Sequence, residues 1–567
     1  MASSPRAFRG DEPVPSALSR RALLSLSGGV ALAGGSALVL SRMDGGKAAR
    51  PRTAPPPGWS ATGNANTTSL LTSGFNQLVS ALPLPVPFRT PLPVPPVLKP
   101  RSSGGADFYE IVQTEAEAEI IPGFRTPIWG YNGIFPGPTI VATSGRRTVV
   151  THRNELPVPT VVHLHGGHTP PQSDGYPTDY LTSAASLAAE KTNAAHPAAM
   201  AGMSMSSAPM PPDPLAKVEY GERVYDYPVR QRATTLWYHD HRMDFTGPSV
   251  YRGLAGFWLI QDEEEAALPL PRGERDIPLM ICDRAFNADG SFHYPSLDPT
   301  LWHPGVEQPY MQGVLGDVML TNGAAWPLLD VDTARYRFRI LNACNARVMQ
   351  LQLEGPSGPL PFVQIGSDGG LLAAPVQHPS LVVAPAQRFD VVVDFSGCRV
   401  GDEITVRNLA GQGSTGSVLR FRVTREVTDN SSVPAKLSTV APLVPTASMR
   451  RRTMDFHRYT TGWMINGKPF DPTTSDADVP RGSTEIWTLV SDYHHPVHIH
   501  LVQFQVLSRN GAPPGPYDTG WKDTVFVNGG ERVEVIAKFD GDPGLYILHC
   551  HNLEHEDMSM MANFRLI

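Results

Sequence analysis

Cysteine is scarce in this chain. There are four in 567 residues, at positions 282, 344, 398 and 550. No two have the C-x2-4-C spacing of a structural zinc site, and so few do not make a disulfide scaffold. Charge is also thin. Asp, Glu, Lys and Arg make up 18% of the residues, the net charge is −7, and no basic cluster lies near the histidine motifs described below, which argues against nucleic acid as a partner. Long helical periodicity is scarce. The one extended apolar run, ending near Leu40, is too rich in Gly, Ser and Ala to predict a stable membrane span.

What the chain has instead is Pro (56), Gly (51) and short runs of Val, Ile, Thr and aromatics between turn residues. TIVAT (139–143), RTVVTH (147–152), VVHLH (161–165), TTLWYH (234–239) and LAGFWLI (254–260) read as strands of one block. RYRFRIL (335–341) and RFDVVVDF (388–395) belong to a second. TEIWTLV (484–490), HIHLVQFQVL (498–507), RVEVIAKF (532–539) and GLYILH (544–549) belong to a third. Setting aside roughly a hundred N-terminal residues leaves enough chain for about three domains. The expected class is all-β, with three β-sandwich domains at 105–268, 269–445 and 446–567.

The chemistry is concentrated in histidine. His-x-His occurs at His163/His165, His239/His241, His498/His500 and His549/His551, where 18 His in 567 residues give about 0.6 such pairs by chance. Positions i and i+2 share a strand face, so each pair offers two nitrogens to one site. Cys550 stands between His549 and His551 and must point the other way. His555 and Met560 follow it, and His495 lies three residues before His498, on the opposite face. Two imidazoles, a thiolate and a weak axial thioether make a blue-copper site. The pattern therefore predicts two adjoining metal centres: eight histidines in one, and His495, Cys550, His555 and Met560 in the other. The other three cysteines read as buried, inert thiols, at least one of them unpaired.

On HLHGGHTPPQSDG (163–175), LWYHDHRMD (236–244), HPVHIHLVQFQV (495–506) and HCHNLEHEDMSMM (549–561), the chain resembles the multicopper oxidases. GWKDTV (520–525) and IGSDGGLL (365–372) make it most similar to the spore-coat-type laccases and bilirubin oxidases. The resemblance implies cupredoxin-like domains and four copper ions. A type 1 copper would take electrons from a small reducing substrate, and a trinuclear cluster would pass them to O2. It implies that His163 and His498 hold the type 2 copper, and that His165, His239, His241, His500, His549 and His551 hold the type 3 pair. Asp174 and Glu556 match positions the family uses as proton relays. The middle block, with widely spaced His293, His303 and His378, is expected to be free of copper. The implied activity is laccase-like: one-electron oxidation of phenols, aminophenols or bilirubin-type pigments with reduction of O2 to water. The alternatives are a cuprous-ion oxidase for copper tolerance and a non-catalytic exported cupredoxin protein.

Two segments lie outside this frame. Ser19-Arg20-Arg21-Ala22-Leu23-Leu24 and the apolar run after it resemble a twin-arginine export signal (1–45), followed by a Pro-rich arm (46–104). This predicts an extracellular, periplasmic or cell-envelope protein. The low-complexity insertion 183–216 carries Met200, Met203, Met205 and Met210 near His196. It is expected to be a surface loop, with Cu(I) delivery as the alternative.

Overall fold

A stretch with a proline at every second or third position has few backbone donors to satisfy. Residues 83–100 show the consequence: they run extended over the surface. The remaining N–H groups of Phe88, Leu92 and Leu98 donate to Trp326, Leu328 and Thr139 carbonyls at 2.8–2.9 Å. Leu78, Leu82 and Leu92 of the arm are themselves buried. The computed structural model describes residues 76–193, 213, 216–459 and 462–567. The export-signal region, most of the residues between the signal and the arm's docked part, and the methionines of the insertion lie outside the described residues. The insertion's described part is an α-helix, Ala184–Asn193, rather than loop. Alanine's high helix propensity accounts for the difference.

Apart from a two-stranded sheet of Leu181–Thr182 with Glu219–Tyr220, the described strands form three successive pairs of sheets. The first pair runs from Arg101 to Gln261, with sheets of five and four strands. Tyr109, Ile111 and Val150 from one sheet and Leu236 and Trp258 from the other share one buried cluster. The second pair, of seven and six strands, spans Asp276 to Arg425, and its core extends to Trp237 and Phe257 of the first. The third pair, of five strands each, spans Arg451 to Leu566. Alternation of apolar and polar positions puts one face of each sheet inward.

Six strands and two short helices carry the candidate site. They are β1 (Val162–His165), β2 (Thr234–Asp240), α1 (Thr246–Arg252), β3 (His495–Ile499), β4 (Thr524–Val527), β5 (Gly544–Cys550), α2 (Leu553–Asp557) and β6 (Met561–Leu566). The run 498–507 is not one strand. It breaks after Ile499, turns through Leu501 at φ 68°, and resumes at Phe504.

Candidate metal centre

Strand pairing brings distant histidines together. β1 and β2 run antiparallel with His163 opposite His239. β3 and β5 run antiparallel with His498 opposite His549 and Val497 opposite Cys550. Cross-strand partners share a face. The predicted alternation around Cys550 is therefore realised: its thiol faces one side, and His549 and His551 the other.

All eight predicted histidines converge in one buried pocket. His163 stacks on His500 at 3.9 Å between ring centroids, and His165 on His498 at 3.7 Å. His241, His500 and His549 form one set of nitrogens, with His500 Nε2 and His549 Nε2 3.2 Å apart. His163, His165 and His239 form another, and His163, His498 and His500 a third. The donor atoms of each set lie within 4.8 Å of one another. The first and third sheet pairs both contribute, so the pocket sits where they meet.

Seven of the eight rings are anchored by a second nitrogen; neither nitrogen of His551 has a hydrogen-bond partner among the described residues. Nδ1 donates to a carbonyl in His163 (Asp174 O, 2.5 Å), His239 (Asp240 O, 2.8 Å), His498 (Asp523 O, 2.9 Å) and His549 (Cys550 O, 3.1 Å). His500 Nδ1 donates to Asp174 Oδ2 at 2.8 Å, and His241 Nδ1 lies 3.4 Å from Glu556 Oε1. A hydrogen on Nδ1 leaves Nε2 as the bare donor atom. Nε2 of His163, His239, His241 and His498 has no hydrogen-bond partner among the described residues. Burial pushes His163, His165, His498, His500 and His551 well below the ordinary imidazole value, His239 to about 3 and His241 to about 4. These rings are neutral at pH 7, the form that binds metal. So many orphaned, neutral, converging nitrogens fit a copper cluster.

The two predicted acids sit against this pocket in different environments. Asp174 is 1% exposed, and burial raises its carboxyl to about 8. Thr169 Oγ1 donates to its Oδ1 at 3.3 Å. Burial acts on Glu556 in the same direction. There the adjacent His549 and His241 outweigh it and hold the carboxyl at about 2. His549 Nδ1 lies 3.0 Å from Glu556 Oε2.

The second predicted set also forms. His495 Nδ1 lies 3.3 Å from Cys550 Sγ, His555 Nδ1 lies 3.6 Å from it, and the two nitrogens are 3.2 Å apart. Donors about 2.0–2.3 Å from one ion in a trigonal arrangement are about 3.5–4 Å apart, close to the observed triangle. His555 Nε2 donates to Gln312 O at 3.1 Å, which leaves Nδ1 bare. Burial pushes the Cys550 thiol well up, so its thiolate needs a cation to form. Met560 is fully buried in the cluster that contains Cys550. Met561, opposite His549, packs with Tyr176 and Ile547 instead. His168 and His494 stay outside both sets. The former bonds Leu501 O, and the latter stacks on Tyr493 at 4.3 Å.

The structure adds residues that the sequence did not reveal. Trp463 stacks on His555 at 3.6 Å, and its Nε1 donates to Met311 O at 3.1 Å. Trp237 stacks on His239 at 4.2 Å. Arg388 and Asp523 form a buried ion pair beside His165. The contacts of Trp463 and of the Arg388–Asp523 pair join positions far apart in the chain, with no local signal, whereas Trp237 stands two residues before His239.

Comparison with known proteins agrees with this geometry. The sequence pattern of the family described as multicopper oxidase matches residues 441–566, and again 113–190 and 199–265. A laccase of Bacillus stratosphericus is 36% identical over 84% of this chain and 98% of its own length. A bilirubin oxidase of Albifimbria verrucaria is 34% identical, over 86% of each. The solved laccase structure from Pediococcus acidilactici superposes with a TM-score of 0.73 at 30% identity, covering 87% of this chain and 96% of that one. The three sheet pairs are thus cupredoxin-like domains. The chain belongs to the multicopper oxidases, copper-dependent oxidoreductases that use dioxygen as acceptor.

Proposed function

We propose that the protein is a laccase-type oxidase with four coppers, acting on phenolic, aminophenolic or bilirubin-type reductants. The carrying observation is the pair of donor sets joined through one tripeptide: Cys550 in the first, His549 and His551 in the second. His495, Cys550, His555 and Met560 would hold the type 1 copper. His163 and His498 would hold the type 2 copper, and His165, His239, His241, His500, His549 and His551 the type 3 pair. When bound, the coppers accept electrons singly and deliver four to O2.

The chain's own groups serve that chemistry in distinct ways. His555, the edge ligand of the first set, is fully buried. Trp463 covers its face and Gln312 O its Nε2, so a reductant meets the half-exposed Met311–Gln312 segment rather than the imidazole. Both sites are buried, which keeps bulk water from them. Asp174 holds a proton at neutral pH beside His500, while Glu556 is ionised between His241 and His549. One donates and the other passes protons toward the cluster, where water formation consumes four. The two carboxyls' opposite shifts support separate roles.

We also propose export by the twin-arginine motif at Arg20-Arg21, tested by fractionating cells that express an Arg20→Lys/Arg21→Lys variant. Retention of activity outside the cytoplasm in that variant would remove the proposal. The catalytic reading is tested by O2 uptake of copper-loaded protein with a phenol, an aminophenol, bilirubin and Cu(I). Turnover of the organic reductants at four electrons per O2 is expected. Turnover of Cu(I) alone would replace it with the cuprous-oxidase reading.

A further inference from the structure

His165 is anchored in the reverse sense to its neighbours. In the six rings with an anchored Nδ1, that nitrogen faces an oxygen. In His165 it is Nε2 that does so, 3.1 Å from Asp523 Oδ1 and 3.1 Å from Thr524 Oγ1. Its Nδ1 has no partner among the described residues. Thr524 has one hydroxyl hydrogen and donates it to Asp523 Oδ1 at 2.9 Å. Both oxygens facing Nε2 are therefore acceptors, so Nε2 carries the hydrogen.

The acceptor is itself locked. Arg388 Nη1 donates to Asp523 Oδ1 at 2.7 Å and Nη2 donates to Oδ2. The other three N–H groups donate to Thr235 O (3.0 Å), Ala386 O (2.9 Å) and Asp368 O (3.2 Å). A guanidinium has five N–H groups, and all five are used. The fork thus ties the first, second and third domains together at one point. Gly166, at φ +82°, makes room for it. A Cβ there would lie 2.5 Å from Asp523 Oδ2 and 2.7 Å from Arg388 Nη2. The stack of His165 on His498 blocks ring rotation. His165, His498 and Asp523 also lie close enough to hold an ion of their own. The guanidinium and the Thr524 hydroxyl already occupy that carboxylate.

We propose that Asp523, clamped by Arg388, is a positioning residue that holds His165 as its Nε2–H tautomer and so selects Nδ1 as its metal-facing atom. The inference rests on the copper assignment above. Without the carboxylate, the Thr524 hydroxyl is free to donate to Nε2. That moves the ring hydrogen to Nδ1 and closes the atom that must bind. The consequence is confined to one copper of the type 3 pair.

The test measures copper content and chelator competition in three proteins, with the blue band and melting temperature as controls. In Asp523→Leu/Arg388→Met no buried charge is left alone, so the fold is retained. One copper should bind about 10–100-fold more weakly while the blue band stays intact. In Asp523→Asn the amide oxygen still faces His165, so copper affinity should stay at the parent level even though the Arg388 fork is disturbed. Parent-level affinity for every copper in the Leu/Met protein overturns the inference. So does an Asn protein that loses copper as the Leu/Met protein does, because charge rather than tautomer would then matter. Weakened binding of one copper in the Leu/Met protein supports the inference by itself, and the same loss in the Asn protein overturns it by itself. A parent protein that fails to bind four coppers refutes the assignment itself, and is thereby distinguished.

Discussion

Replacing Asp174 with Asn removes a proton while leaving its contacts in place. The amide oxygen can take the His500 Nδ1 hydrogen in place of Oδ2, now at 2.8 Å. The amide nitrogen then faces Thr169 Oγ1, whose hydroxyl rotates to accept. The backbone carbonyl that anchors His163 is untouched. Copper content and the blue band should therefore match the parent. Loss of a positioned proton donor slows a proton-coupled step by about 10²–10⁴, or about 3–5 kcal/mol of barrier at about 1.4 kcal/mol per tenfold. Stopped-flow separates the two half-reactions. Anaerobic bleaching of the blue band by a phenol should be unchanged, and reoxidation of reduced protein by O2 should slow by that factor. Reoxidation at the parent rate with normal copper content would refute the role. Glu556→Gln should slow the same half-reaction.

Further consequences follow from individual contacts. Met560→Leu should raise the reduction potential of the type 1 site, because the axial thioether is lost. Met561→Leu, in a different cluster, should leave a redox titration unmoved, and the opposite pattern would mean the wrong methionine was assigned. Trp463→Ala should uncover His555 and raise kcat/KM for bulky phenols relative to small ones. Its cost in stability is about 3–5 kcal/mol for a buried aromatic truncation; an unchanged substrate ranking would remove Trp463 as the cover. Glu265 contacts Arg337 at 3.0 Å and Arg339 at 3.2 Å. Burial alone would raise its carboxyl, but Arg339 and Arg337 outweigh burial and hold it at about 2, below the ordinary 4.5. The unfolded chain then takes up this proton first. The stabilisation is complete above about pH 4.5 and is lost as pH falls toward 2. Urea midpoints at pH 6, 4 and 3 should fall less steeply in Glu265→Gln; an equal slope would contradict the assignment.

Much of the site was legible because its donors come in strand-periodic pairs. Alternation alone separated Cys550 from His549 and His551 and set His495 apart from His498. The structure shows both separations. Met560 was legible from spacing, and its choice over Met561 is supported by packing: Met560, just before β6, lies in the cluster of Cys550, and Met561 in that of Tyr176 and Ile547. The boundary after Ile499 was not legible. Apolar character continues through Leu501 and Val502, and only a left-handed backbone at Leu501 ends the strand. The helix Ala184–Asn193 was hidden by low complexity, although alanine favours it. The outer layer was illegible for a different reason. Asp523 stood in a quoted motif, yet its meaning depends on Arg388, 135 residues away. Trp463 and Gln312 reach His555 only through tertiary packing, for which sequence offers no period.

The central claim is that this chain holds two coupled copper sites joined through Cys550. Copper analysis with a visible spectrum, for the parent and for Cys550→Ser, tests it most directly. The account predicts four coppers per chain and an intense blue thiolate-to-copper band in the parent. In Cys550→Ser it predicts three coppers, no blue band and no phenol oxidation in a protein that is still folded. A parent that is colourless with fewer coppers, or a Cys550→Ser protein that oxidises phenols at the parent rate, would contradict it.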